Sequence, residues 1–162
     1  MLLAACTAPK EAEGHALDGN GAQSSGTVGN EHVKVGQTWW FALPVPHNVT
    51  GQPIEITAVS LVTVPKGIKV LEYDAYSLED TNGLALLAVE GDKFAPDFGK
   101  LKNYAAGPVR VAGKKSSDVY FLAKLKILSP PKGTAHGCRF KYQQAGHPFV
   151  QTLDCEVELT TG

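Results

Sequence analysis

The residues from Thr38 to Val64, TWWFALPVPHNVTGQPIEITAVSLVTV, alternate in a way that suits a pleated strand and little else. Trp39, Phe41 and Leu43 share one parity and continue the phase of Val33 and Val35, which places these side chains on one inward face. Trp40 points the other way. After a turn-rich connection, Ile54 and Ile56 alternate with Glu55 and Thr57, and then Val59 and Leu61 carry the apolar phase on the opposite parity. A change of parity inside one run predicts a β-bulge near Ala58.

The rest of the chain repeats this pattern. Pro65-Lys66-Gly67 makes a turn, Ile68 to Tyr76 reads as a strand, and Glu79 to Gly83 is a turn cluster. Leu84 to Glu90 lies between two glycines and is short enough to favour a strand over a helix. Residues 91–107 carry Pro, Gly, Asp and Lys with scattered aromatics and read as a long loop pinned to the sandwich edge. Pro108 to Ala112 is a short strand. In Val119 to Leu128, Val119, Phe121, Ala123, Leu125 and Ile127 take one parity and Tyr120, Lys124 and Lys126 the other, the mark of a half-buried antiparallel strand. A last pair follows, with Cys138, Phe140 and Tyr142 on one arm, Gln144 to His147 as the turn, and Cys155, Val157 and Leu159 on the other. Short strands at regular spacing predict an all-β antiparallel sandwich over residues 32–162.

The 162 residues have room for one domain and a tail, and a formal net charge of -1 gives no drive toward nucleic acid. No apolar run reaches the roughly 18 to 20 residues of a membrane-spanning helix. Residues 7–31 are Gly, Ser, Ala, Glu and Gln with few large apolar side chains, so they are expected to form a disordered tether. As a flexible chain of about 25 residues it would reach roughly 25 to 30 Å.

The opening Leu3-Ala4-Ala5-Cys6 resembles the lipobox of bacterial lipoproteins. That resemblance implies a lipidated Cys6, attachment to the extracytoplasmic face of the cell membrane, and residues 1–6 as the remnant of a signal peptide, since export requires an apolar stretch of about 7 to 15 residues. Export in turn accounts for the three cysteines: Cys6 for attachment, and Cys138 with Cys155 for a bridge. Both late cysteines lie in phase with core residues, so a disulfide closing a loop of roughly 17 residues is geometrically allowed. NVTGQPIEIT followed by VPKGIKV, with a late Tyr-bearing hairpin, is similar to the Ig-like domains of uncharacterised actinobacterial exported proteins. The resemblance implies an Ig-like sandwich. The antibody-type Cys, Trp, Cys order is absent, because Trp39 and Trp40 precede both late cysteines.

Chemistry is sparse. Among the five histidines none sits at a metal-binding spacing, though His47, His136 and His147 fall in expected turns where one end of a sandwich would gather them. There is no Gly-x-Ser-x-Gly and no phosphate loop, and neither a cofactor nor a resident metal is expected. Trp40, facing away from the core parity, is either an exposed aromatic joined by Tyr73 or Tyr120 for binding, or is covered by the 91–107 loop. Eight Lys and Arg between Lys93 and Lys126 (Lys93, Lys100, Lys102, Arg110, Lys114, Lys115, Lys124, Lys126), against Asp97 and Asp118, are either a basic patch for an anionic lipid or wall polymer or scattered solvation. The expectation is a non-catalytic, lipid-anchored Ig-like domain with a protein partner in the cell envelope. The alternative is a lipoprotein that captures a carbohydrate, a wall fragment or a metal ion.

Overall fold

A computed structural model describes residues 10–18 and 27–162. Its strands are β1 (Ala12–Glu13), β2 (Val28–Asn30), β3 (Thr38–Ala42), β4 (Ile54–Thr63), β5 (Ile68–Ser77), β6 (Leu87–Val89), β7 (Val109–Val111), β8 (Val119–Ile127), β9 (Ala135–Gln144) and β10 (His147–Leu159). One sheet runs β1-β10-β9-β4-β7, with β2 also on β10, and the other runs β5-β8-β3-β6. In chain order β3, β4, β5, β8, β9 and β10 take the places of strands B to G, with D-E-B packed on C-F-G, the arrangement of an Ig-like sandwich. The insertion between β5 and β8 supplies the edge strands β6 and β7 of the two sheets.

Between the sheets lies the main core, built from the inward parity of each strand: Trp39, Phe41 and Leu43, Ile54 and Ile56, Phe121 to Ile127 at alternate positions, Phe140, Tyr142, Val157 and Leu159. The ladder of β4 on β9 shifts register between Ile56 and Ala58, where the change of parity predicts a bulge. A second shift lies in the β9–β10 hairpin between Leu153 and Glu156. Cys155 stays in phase with the buried Leu153, Val157 and Leu159, while the inward parity of β9 changes between Ala135 and Cys138; Cys138 and Cys155 form a disulfide with Cα atoms 5.8 Å apart. Opposite that bulge Gly137 takes φ 77°, where an added Cβ would also sit 2.8 Å from Cβ of Val62.

Three expectations differ from the structure. The tether expected over residues 7–31 is not all free chain: β1 pairs in parallel with Phe149 and Val150, Ala16 and Leu17 are buried in the main core, and β2 pairs with Val157 to Leu159. Composition counts only side chains, whereas the open edge of β10 offers main-chain partners, and Gln151 adds side-chain bonds to both N–H (3.0 Å) and C=O (2.8 Å) of Leu17. Gly14 is what lets the segment lie so close, since a Cβ there would meet the Tyr142 hydroxyl at 2.0 Å. The sandwich therefore begins at Ala12 and not at residue 32, while Cys6 and residues 19–26 lie outside the described residues. Val35, placed on the inward face by parity, is 54 % exposed because the chain turns at Val35–Gly36 before β3 starts. Finally, β8 is not half-buried: Tyr120 and Leu122 on its outer face are as inaccessible as Phe121 and Leu125 on its inner one.

Candidate functional site

The outer face of the second sheet explains that burial. Cross-strand register sets Glu72 beside Lys124, Asp74 beside Leu122 and Tyr76 beside Tyr120, and then Lys124 beside Trp40 and Trp40 beside Ala88, so these residues share one face. An uncovered sheet would leave them in water. Here residues from Leu78 to Leu101 fold over the face and close a second apolar cluster around Trp40, Tyr76, Tyr120, Leu122 and Phe98.

Phe98, presented by a 3-10 turn at Phe98–Lys100, is the plug. Its ring lies 4.5 Å from that of Trp40 and 4.9 Å from that of Tyr76, and Trp40 meets Tyr76 edge-on at 6.2 Å. Lys124 borders the stack, with Nζ 5.0 Å from the Trp40 ring and 3.3 Å from Glu72 Oε1. The Tyr120 hydroxyl donates to Thr81 Oγ1 at 2.9 Å, which ties the turn after β5 to the sheet.

Asn103 pins the end of the cover. Its Oδ1 accepts from the N–H groups of Ala75 and Ala105, both at 3.0 Å, and its Nδ2 donates to Asp74 Oδ1 at 2.6 Å. Asp74 is only 4 % exposed, and its Oδ2 has no hydrogen-bond partner. Burial holds its pKa above the ordinary carboxylate value; the Asn103 bond and Lys124 pull it down, and the Glu72 carboxyl pushes it further up. Burial, reinforced by Asp74, Glu72 and Tyr120, also pushes the Tyr76 phenol up to about 12. Beside Trp40 and Phe98, residues 89–99 frame an open cleft of about 480 Å³ with Glu90, Asp92 and Lys93 on its walls.

The residues singled out in the sequence fall at separate places. Trp40 is 6 % exposed and Tyr120 fully buried, so neither is an exposed binding aromatic; the loop over Trp40 is the reason. Tyr73 faces the main core from the free edge of β5, where its hydroxyl accepts the N–H of Leu61 at 2.8 Å. The Nδ1 of His47 lies 2.8 Å from Ser116 Oγ. His147 pairs with Gln144 at the hairpin turn, whereas His136 pairs with Glu156 near the other end of the same ladder, so the three histidines do not converge. Among the described residues no group of three or more His, Cys, Asp or Glu side chains is placed to hold a metal ion. The basic residues also disperse: Lys124 is with Glu72, Lys100 with Asp97, Lys126 on the Gly36 carbonyl, Lys102 over Tyr104 and Lys93 over Phe94.

Sequence reasoning missed Asp74, Glu72, Asn103 and Lys124 as a unit. Their one signal was a parity shared by Glu72, Asp74 and Tyr76, which reads as a solvated face until something is known to cover it.

No protein-family model matches the chain, and no curated protein matches it. Among solved structures, the VesB protease of Vibrio cholerae aligns over 82 % of this chain and 30 % of its own, with 11 % identity and a TM-score of 0.36. The chain spans less than a third of that protein, and a likeness at this level carries no functional argument.

Proposed function

We propose that the protein is a non-catalytic, lipid-anchored Ig-like domain on the extracytoplasmic face of a bacterial membrane, where it acts as a protein-interaction or scaffold module. The observation that carries this reading is the buried Cys138–Cys155 disulfide, a bond that persists in oxidising compartments and is rare in the cytosol. No helix among the described residues is long and apolar enough to cross a membrane, so attachment in this reading falls to lipid on Cys6. Ala12, where the sheet begins, follows Cys6 by six residues, and a segment of that length spans at most about 20 Å. The anchored domain would thus sit close to the lipid headgroups rather than at the end of a long tether.

The test is fractionation of cells making the native protein and the Cys6→Ser variant. Native protein is expected in the membrane fraction and the variant outside it; a variant that stays with the membrane overturns the anchor. The second reading is ligand capture, favoured by the cleft beside Trp40 and Phe98, whose size suits a small molecule. A native mass spectrum of gently extracted protein separates the two, because a bound small molecule or metal adds its mass to the lipidated chain.

A further inference from the structure

Asp74 is an anomaly among the described residues. A buried carboxyl oxygen without a partner loses its hydration with nothing in return, and such atoms in folded proteins call for an explanation. Two residues earlier on the same face of β5 stands another carboxyl, Glu72, itself paired with Lys124. Two carboxylates can only accept. A proton on the Asp74 carboxyl turns an acceptor into a donor and removes a buried charge in the same step.

The surroundings fix what that proton does. Glu72 and Tyr76 flank Asp74 on β5, and Lys124 faces the pair from β8, with its ammonium on Glu72. Tyr120, also from β8, faces Tyr76. From the cover comes Asn103, an uncharged donor, while the adjacent Lys102 sets its ammonium 4.6 Å from the Tyr104 ring and the Asp97–Lys100 pair is exposed at the surface. Lys124 is thus the one cation beside the pair among these groups, and Asp74 is sealed from water by the segment that Asn103 pins. Lifting that segment hydrates the carboxylate.

We propose that Asp74 is held protonated under the cover and that this proton latches residues 91–107 over the Trp40–Tyr76–Phe98 face, so that the cover loosens as the proton is lost. The coupling follows from linkage: a closed state that holds a proton more tightly than the open state is favoured wherever that proton is bound. The aromatic face is then a surface displayed in proportion to pH, tight in acid and freer toward neutrality.

Amide hydrogen exchange on the full chain between about pH 4 and 8, corrected for intrinsic rates, tests the latch. Protection in residues 91–107 should be highest at the acid end and fall by up to about tenfold per pH unit across the titration of one proton, while β9 and β10 stay flat. The D74N variant should be protected alike at every pH. In E72Q the fall should move to lower pH. Carboxyl carbon NMR of the unmodified protein supplies a readout that needs no variant: Asp74 should titrate above the ordinary carboxylate range, with the midpoint of the exchange transition. Flat protection in 91–107, a pH dependence retained by D74N, or an ordinary titration of Asp74 would each overturn the proposal.

Discussion

The two faces of β8 bury their side chains by different means. On the inner face Phe121, Ala123, Leu125 and Ile127 meet a second sheet, whose strands are held by long ladders and by the Cys138–Cys155 bond. On the outer face Tyr120, Leu122 and Lys124 lie under a segment whose regular structure is two single 3-10 turns and the short strand β6. The inner face is apolar throughout. The outer one includes Glu72, Asp74 and Lys124. Apolar surface removed from water contributes about 25 cal/mol per Å² on either face, but sheet-on-sheet packing is coupled to global unfolding and a loop on a sheet can open alone.

The largest effect that would break this contrast comes from paired truncations. Phe140→Ala, in the inter-sheet core, should cost about 3–5 kcal/mol and lower the denaturation midpoint of the whole domain. Phe98→Ala removes a ring that is equally buried, yet the cover can collapse or lift, so the loss in global stability should be about 1–2 kcal/mol. Denaturant titration gives both numbers, and hydrogen exchange shows where each is felt. If Phe98→Ala cost as much as Phe140→Ala and loosened every strand, the two faces would be one cooperative core.

The same contrast explains what could be read from the residues. Parity along Trp39, Phe41, Leu43 and along Phe140, Tyr142 identifies inward residues because a two-sheet core is filled by alternate positions of every strand. The bulge near Ala58 and the in-phase cysteines were legible for that reason too. The outer face was not. Whether Trp40 is exposed depends on where the 91–107 segment lies, and that is decided by Phe98 and Asn103, which local periodicity does not connect to β3 or β5. The ordering of Ala12 to Leu17 was hidden for a similar reason, since main-chain pairing with the open edge of β10 leaves little trace in side-chain composition.

A middle-sized effect sharpens the comparison through charge. The folded-state pKa of Asp74 lies above its unfolded value of about 3.8, so the native protein holds this proton more tightly than the unfolded chain does. Stability from that proton is fully present below the unfolded value and is lost as pH rises through the folded one. Above that point the protein carries a buried, poorly paired charge. Asp74→Asn keeps the shape without the charge and should therefore raise stability near neutral pH by about 1–2 kcal/mol, with the gain fading as pH falls through the folded-state value and gone below about 4. Denaturation midpoints of both proteins at acid and neutral pH measure it. A variant less stable than the parent at neutral pH would mean that the Asp74 carboxylate, held by Asn103 and Lys124, is a favourable charge.

The smallest effect separates the stability of the outer face from its tuning. Lys124 touches the Trp40 ring and the Glu72 carboxylate, but Glu72 is half exposed, so the pair is screened and should be worth less than about 1 kcal/mol in Lys124→Gln. Its influence on Asp74 should be easier to see. Lys124 is a positive charge that lowers the Asp74 pKa, opposing burial and Glu72, so its removal should move the Asp74 titration to higher pH. In Lys124→Gln the exchange transition of residues 91–107 should move in the same direction while the denaturation midpoint barely changes. A titration that moves without the exchange transition would uncouple the carboxyl from the cover. A large loss of global stability would instead make Lys124 a structural strut, and the outer face would then resemble the inner one in energetics despite its charges.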